Sequence, residues 1–307
     1  MARLFDSTHH SATAKEALLL LLLLQMVLLQ TVQCASTPGR MGGLTGAAPR
    51  SPNKLEELVP AAGVSHNAKQ GEEDCLGAHR DALLQACEEW VKGEIAACDA
   101  SHDWCHVHRV RRQAVAIAKA EELEAKIPGG MLVVELAALL HDVKDYKYSG
   151  SDTAGAEAAA EFLKSQNVPP AFIARILEVI VNVSYKKELS SLPKLSAGEC
   201  LSLGGVTELG CVQDADRLDA IGAVGIARCF TFGGAMKRPL YDAHVQPRID
   251  IDAAMYQDGT STTLNHFHEK LLKLKSLMKT ATGRRLAEDR HKYMVGFLEQ
   301  FQLEAGI

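Results

Sequence analysis

The amino-acid sequence predicts an all-α fold for most of the chain, preceded by a targeting segment and a flexible linker. From about residue 77 onward, apolar residues recur at the three- and four-residue spacing of a helical face. The sequence contains no convincing strand alternation, no Asn-Gly hairpin and no repeat of fixed period. The 307 residues therefore divide into a targeting segment (1–35), a linker (36–76) and a helical domain (77–307).

The N-terminal segment carries an apolar run that is typical of a targeting signal. Leu18 to Leu24 are seven consecutive leucines, and the apolar character continues to Val32. This run is shorter than the roughly 20 residues that a membrane-spanning helix needs, and a small-residue cleavage pattern follows it before Ala35. We therefore predict a signal for the secretory pathway or for an organelle such as a plastid, with no stable membrane span after processing. A membrane-associated tail is the alternative.

Residues 36–76 form the predicted linker. They are rich in Gly, Pro, Ala and Ser and show no sustained periodicity. Such a composition is typical of a flexible connection, so we expect this stretch to be disordered.

The first two predicted helices precede residue 130. Apolar residues between Leu83 and Ile95 share one helical face, which predicts a helix from about 77 to 98. Ser101-His102-Asp103 then offers a helix N-cap, and the helical spacing of apolar residues resumes at Val107. Pro128-Gly129-Gly130 ends that second pattern.

The third predicted helix is apolar on nearly every side. Leu132 to Leu140 contains almost only apolar residues, and a helix of this kind belongs at the centre of a domain. It ends at His141 and Asp142. Further helices are predicted over 152–166, 170–183, 208–229, 263–280 and 284–303, with loops over 185–205 and 231–262.

Composition excludes several classes of function. The net charge of −5 argues against nucleic acid as the main partner, so a local site must hold any anionic substrate. The eight cysteines include no C-x-x-C pair, which leaves no zinc ribbon or thioredoxin-type motif. We expect the thiols to pack as small apolar groups.

Three separated segments carry residues that can bind a divalent metal ion. His106, the doublet His141-Asp142 and the segment Asp214-Ala215-Asp216 together offer two imidazoles and two or more carboxylates. Such a donor set suits Mn²⁺, Mg²⁺, Fe²⁺, Co²⁺ or Zn²⁺. A six-coordinate ion would keep two positions for a water and a phosphoryl oxygen. The structural alternatives are histidines hydrogen-bonded in the core and a salt-bridge cluster around Arg217.

Five stretches of the helical domain follow one another in a specific order. They are SHDWCHVHRV (101–110), LAALLHD (136–142), VQDADRLDAIGAVGIA (212–227), NHFHEKLLKL (265–274) and AEDR (287–290) followed by His291. Together they resemble the HD-domain metal-dependent phosphohydrolase superfamily, and most of all its bacterial and plant branch linked to nucleotide pyrophosphohydrolase activity. The resemblance covers about residues 79–307 and implies an all-α HD-domain bundle that holds one divalent metal ion.

The resemblance also implies the ligand set. The metal ligands would be His106, His141, Asp142 and Asp216, the last selected by its match to an Ala-Asp-Arg-Leu segment. Asp214 lies two residues earlier and would face the other side of the helix.

Neighbouring residues are expected to support the ligands or to contact substrate. Asp214 and Arg217 are candidates for supporting the ligands, whereas Arg109 and Asp219 are candidates for contacts with substrate. Lys270 is the candidate for a contact with a triphosphate.

The segment after the His-Asp doublet provides further candidates. Asp142 and Asp145 are the predicted catalytic residues, with Asp145 orienting or deprotonating the metal-bound water. Lys144 and Lys147 are predicted to contact phosphate. The alternative is that these are solvated loop charges.

The sequence therefore predicts a divalent-metal-dependent phosphohydrolase that releases pyrophosphate from a nucleoside triphosphate through a metal-activated water. The expected cofactor is one Mn²⁺ or Mg²⁺ ion, with Co²⁺, Fe²⁺ and Zn²⁺ as alternatives. The expected partner is a phosphorylated small molecule, namely a nucleotide. Phosphomonoesterase or phosphodiesterase action and a non-catalytic metal- and nucleotide-binding sensor are the alternative functions. A homodimer is one oligomeric state that the sequence leaves open.

Overall fold

The computed structural model describes residues 79–144, 153–191, 206–249 and 261–307. Every regular element in these ranges is helical, so the predicted all-α class is confirmed. The predicted targeting segment and linker lie outside the described residues, as do Asp145 and Lys147.

The helices follow one another with short connections. In chain order they are α1 (Arg80–Glu94), α2 (Trp104–Ala120), α3 (Leu123–Lys126), α4 (Gly130–Leu140), α5 (Ala154–Ser165), α6 (Pro170–Asn182), α7 (Tyr185–Ser191), α8 (Glu208–Asp219), α9 (Gly222–Ala235), α10 (Asn265–Glu269), a 3₁₀ helix (Leu271–Leu277) and α11 (Ala281–Ala305). Asp103, Thr207 and Thr280 cap the N-termini of α2, α8 and α11 by accepting a hydrogen bond from a backbone N–H three residues later.

Helix α4 is the centre of the core. Every residue from Leu132 to Leu140 is buried, and α1, α2, α6 and α8 pack around the helix. The one acidic residue in it, Glu135, is neutralised by Arg80 and Arg111. The prediction of a central helix at this position is confirmed. Its packing on all sides fixes the position of the His141-Asp142 doublet at its C-terminal end.

The predicted single helix over 208–229 is wrong, because the chain bends by 71° between α8 and α9. Ile221 is extended and Gly222 has a positive φ of 74°, so the α8 hydrogen-bond pattern stops at this point. At the bend, the first turn of α9 lies against the backbone of Ala220, since a Cβ on Gly225 would lie 2.2 Å from the Ala220 carbonyl.

Two other predicted elements also differ from the structure. The helix predicted over 263–280 breaks at Lys270 into α10 and the 3₁₀ helix, because the backbone of Lys270 leaves the helical region (φ −136°, ψ −61°). The loop predicted from residue 185 begins with helix α7, and the loop predicted from residue 231 begins only after α9 ends at Ala235.

Within the described residues, no single helix has both the length and the apolar character to cross a membrane. The bent pair α8 and α9 meets that criterion by length and composition alone.

Candidate metal centre

Three helices bring the predicted ligands together. His106 lies in the first turn of α2, where the Asp103 cap accepts a hydrogen bond from the His106 backbone N–H (3.0 Å). His141 and Asp142 follow the C-terminus of α4, and Asp216 lies in the last turn of α8. Helix α2 packs against both α4 and α8, so residues far apart in the chain converge.

The ligand atoms of these side chains are close to one another. His106 Nε2 lies 3.1 Å from Asp142 Oδ2, and His141 Nε2 lies 3.5 Å from Asp142 Oδ1. Asp216 Oδ1 lies 3.8 Å from His106 Nε2 and 3.9 Å from His141 Nε2. Ligand atoms of His106, His141 and Asp142 all lie within 4.8 Å of one another, as expected for a divalent-cation site, and Asp216 adds a carboxylate oxygen near both imidazole nitrogens.

The hydrogen bonds of the two imidazoles fit metal ligation. His141 Nδ1 donates to the carbonyl of Ala138 (2.9 Å), and His106 Nδ1 pairs with Asp219 Oδ2 (2.8 Å). Each neutral ring therefore presents an Nε2 lone pair to the common point. Both Nε2 atoms are buried and neither has a hydrogen-bond partner; Asp142 Oδ2 is near His106 Nε2 but at an unfavourable angle. Two buried lone pairs without a donor are what a bound cation would satisfy.

The electrostatics of the cluster keep both carboxylates ionised. Burial alone would raise the pKa of Asp142, but the neighbouring His141 and His106 hold it well below its ordinary value. The same two histidines lower the pKa of Asp216 against the opposing effects of burial and of Asp142. Burial would lower the pKa of His106, yet Asp142 and Asp219 raise it.

Asp219 and Arg109 do not form the substrate contacts that the sequence analysis assigned to them. Asp219 is buried and directs Oδ2 to His106 Nδ1, while Arg109 binds it in a fork through Nε (2.7 Å) and Nη2 (3.0 Å). Arg109 does not line the cavity next to the ligands. Both residues therefore orient His106, because the carboxylate fixes the ring and the guanidinium fixes the carboxylate.

Arg217 and Asp214 are both buried and both bind other helices. Arg217 Nη2 lies 2.5 Å from Glu188 Oε2, and its Nη1 donates to the carbonyls of Val183 and Gln213. Arg217 therefore forms its salt bridge with Glu188 of α7, and not with the aspartates of α8 that the alternative interpretation placed around it.

Asp214 faces the opposite side of α8 from Asp216, as predicted. It does not support the ligands: Oδ1 accepts from the Lys279 backbone N–H, and Oδ2 accepts from the backbone N–H and hydroxyl of Thr280, all within 2.8 Å. The role assigned to Asp214 in the sequence analysis is therefore wrong, because its hydrogen bonds secure the N-terminus of α11 instead.

A cavity of about 450 Å³ opens above the ligands. It contains the predicted substrate residues Lys144 and Lys270, and Lys270 also lies over the ring of Tyr185 (5.0 Å). Six Lys or Arg side chains in its lining could meet an anion, and they are Lys144, Lys186, Arg228, Arg238, Arg248 and Lys270.

His102 and Arg228 are among the residues of this site that carried no functional prediction. His102 appeared only as part of a helix N-cap, but its ring lies 6.0 Å from that of His106 and it lines the cavity. Arg228 lies nine residues beyond Asp219, which is two and a half turns of a continuous helix and would place it on the opposite face. The 71° bend removes that separation and brings Arg228 Nη1 to 3.2 Å from Asp219 Oδ2.

Comparisons with known proteins find chains that are similar to this one over most of their length. No protein-family model matches the chain. YpgQ of Bacillus subtilis (strain 168) is 35% identical over 213 residues, which are 69% of this chain and 89% of YpgQ.

Solved structures are similar over nearly three quarters of the chain. A Lactobacillus plantarum protein has a TM-score of 0.62 at 32% identity and covers 73% of this chain and 97% of its own. An HD-superfamily hydrolase from Bacillus thuringiensis has a TM-score of 0.53 at 35% identity and covers 74% and 98%. YpgQ, solved in complex with ADP, has a TM-score of 0.50 at 30% identity and covers 72% and 97%.

Proposed function

Because the chain belongs to the HD superfamily of metal-dependent phosphohydrolases, we propose that it hydrolyses a nucleoside triphosphate and releases pyrophosphate. The observation that carries the proposal is the pair of buried Nε2 atoms of His106 and His141, which face Asp142 and Asp216 without a hydrogen-bond partner. When bound there, a divalent ion lowers the pKa of a water and polarises the phosphorus.

The residues of the chain have separate tasks in this proposal. His106, His141, Asp142 and Asp216 hold the cation, and Asp219 keeps the His106 lone pair directed at it. The cation is Mn²⁺ or Mg²⁺, since mixed imidazole and carboxylate donors suit these ions, with Co²⁺, Fe²⁺ and Zn²⁺ as alternatives. Asp145 and Lys147 remain predicted contributors to water activation and phosphate binding.

The charge of the cavity supports a polyphosphate substrate. Seven basic side chains line it, namely Arg217 and the six named above, whereas its acidic lining residues are two predicted metal ligands and Glu269. Glu269 is itself paired with Arg248 (2.9 Å). Basic donors fixed around phosphate oxygens favour a transition state in which negative charge moves among those oxygens. The ADP complex of the relative YpgQ supports a nucleotide as the substrate.

The products distinguish this reaction from its alternatives. Full-length protein would be incubated with ribo- and deoxyribonucleoside triphosphates and with Mn²⁺, Mg²⁺ or Co²⁺, and the products would be separated by ion exchange. We expect monophosphate and pyrophosphate in equal amounts. Free phosphate or an opened cyclic nucleotide would instead indicate phosphomonoesterase or phosphodiesterase action, and binding without products would indicate a sensor.

Two matched variants test whether turnover depends on the candidate metal site. Asp216→Ala removes a ligand, and we expect it to abolish turnover. Asp289→Ala makes the same change at an exposed position of α11 and should leave turnover unchanged. A wild-type protein that retains metal and hydrolyses none of these nucleotides would contradict the proposal.

We further propose that residues 1–35 act as a cleaved targeting signal. The consecutive leucines and the small residues after them support this. N-terminal sequencing of the mature protein from its native source tests the proposal: a start at or near Ala35 is expected, and an intact Met1 terminus would contradict it.

A further inference from the structure

Arg228 occupies the wall of the cavity next to the metal ligands. It lies in the second turn of α9, on the face that also carries Cys229, Phe232 and Met236 into the cavity. Its side chain is only 13% exposed, so most of the guanidinium is removed from bulk water. The 71° bend between α8 and α9 brings this face of α9 to the ligands.

Two contacts fix the plane of the Arg228 guanidinium. Nε donates to the carbonyl of Ser101 (2.7 Å), and Nη1 lies 3.2 Å from Asp219 Oδ2. Ser101 precedes α2, and Asp219 binds His106, so both anchors belong to the structure that holds the first metal ligand. The guanidinium is therefore held in one orientation before any ligand binds.

The two contacts do not use all the donors of the group. A guanidinium carries five N–H donors in a rigid plane. Nε uses its donor in a hydrogen bond to Ser101, and Nη1 forms an ion pair with Asp219. Within the described part of the chain, Ser101 and Asp219 are its hydrogen-bonding and ionic partners. Because the Arg228 side chain lines the cavity, its remaining N–H donors can serve a molecule bound there.

The charges around Asp219 favour an additional anion. Its one carboxylate faces two guanidinium groups, with Arg109 bound in a fork to both oxygens and Arg228 close to Oδ2 only. The charge of a mostly buried cation that shares its counter-ion is not fully neutralised, so a further anion beside it is favoured. Asp142 and Asp216 do not neutralise Arg228 when their own charges are balanced by a divalent cation.

We propose that Arg228 binds a non-bridging phosphate oxygen of the substrate, adjacent to the metal. This inference rests on the proposed function for the identity of the substrate, and it assigns the site a phosphate-contacting residue. An arginine suits the position because a planar fork can satisfy two protein acceptors and a phosphate at once, whereas an ammonium is a point charge with no such fixed plane.

The test is the binding of inorganic pyrophosphate to full-length, Mn²⁺-loaded protein, followed by calorimetry. The cation balances the charges of Asp142 and Asp216 in every variant, so a difference between variants reports the contact with Arg228. We expect the wild type to bind pyrophosphate. We expect Arg228→Gln to raise the dissociation constant for pyrophosphate by at least about tenfold. Arg112→Gln makes the same change at an exposed position of α2 and should bind as the wild type does.

A conservative variant covers the case in which Arg228→Gln fails to fold. Arg228→Lys keeps the charge but loses the fork, and we expect its pyrophosphate affinity to lie between those of the wild type and of the Gln variant. The proposal is overturned if the wild type binds no pyrophosphate, or if a folded Arg228→Gln or Arg228→Lys protein binds it as tightly as the wild type.

Failure of the proposed function gives a different result. If pyrophosphate binding depends on Arg228 but no nucleoside triphosphate is hydrolysed, the phosphate contact stands and the proposed reaction does not.

Discussion

His106 Nδ1 lies 2.8 Å from Asp219 Oδ2, which fixes the side of the imidazole that faces the metal site. The carboxylate accepts a hydrogen bond from Nδ1–H, so the Nε2 lone pair points towards Asp142 and Asp216. Both groups are buried, with side chains 1% and 2% exposed. Asp219 therefore orients His106 at the metal site without being one of the predicted ligands.

Replacing Asp219 tests this relationship. Asp219→Asn keeps the size of the side chain but removes the charge that holds His106, Arg109 and Arg228 together. We expect a loss of Mn²⁺ affinity of about 10- to 100-fold, as is typical when the partner of a ligating histidine is lost. Titration calorimetry measures it, with Asp289→Asn on the exposed face of α11 as the control. Equal affinity in the two variants would show that Asp219 does not orient His106.

Metal affinity should fall in acid. Burial lowers the pKa of His106, but Asp142 and Asp219 outweigh it and raise the pKa above the ordinary 6.5. A proton on His106 competes with the cation, whereas Asp142 and Asp216 stay ionised because their pKa values are lowered. We expect a constant Mn²⁺ dissociation constant above the His106 pKa and a rise of about tenfold per pH unit below it. Calorimetry between about pH 5.5 and about pH 8.5 measures this, and a flat profile would contradict it.

Glu188 should stabilise the protein through Arg217. Their side chains are 5% and 2% exposed, and Lys279 also binds Glu188. Glu188→Gln leaves the Arg217 charge buried without a full counter-ion, so we expect the free energy of unfolding to fall by about 3–5 kcal/mol. Urea denaturation measures the change. Glu299→Gln, on an exposed position of α11, should have almost no effect, and an equal effect of both changes would rule out the buried pair as the cause.

Two glycines of α9 should respond in opposite directions to alanine. A Cβ at Gly225 would lie 2.2 Å from the Ala220 carbonyl, whereas a Cβ at Gly234 would meet nothing within 4 Å. We expect Gly225→Ala to destabilise the protein by about 1–3 kcal/mol through overpacking. Gly234→Ala should stabilise it by up to about 1 kcal/mol, because alanine restricts the unfolded chain and favours the helix. Thermal unfolding distinguishes the two, and stabilisation by both would show that the first turn of α9 does not lie against the Ala220 backbone.

The sequence was sufficient to predict features that depend on local pattern. The apolar residues of α4 require burial on every side, so the position of the His141-Asp142 doublet at the end of a central helix followed from composition alone. The bend after α8 could not be predicted in this way. The residues through Ile221 and Gly222 stay compatible with helical periodicity, and only the observed backbone shows the extended Ile221 and the positive φ of Gly222 at which the chain turns.

The same distinction between local pattern and helix packing applies to the metal site. The ordered motifs identified His106, His141, Asp142 and Asp216 as residues that would meet. The roles of Arg109 and Asp219 were assigned wrongly because the two lie 110 residues apart, and their pairing depends on how α2 packs against α8. Arg228 was not predicted for a related reason, since a continuous helix would have directed it away from Asp219.

The central claim is that one divalent cation lies between His106, His141, Asp142 and Asp216. Anomalous diffraction from a crystal of the Mn²⁺-loaded protein tests it most directly. We expect one strong peak within about 2.0–2.4 Å of both histidine Nε2 atoms and of an oxygen from each aspartate. The account would be contradicted if no peak lay there and both Nε2 atoms were hydrogen-bonded to protein groups or water.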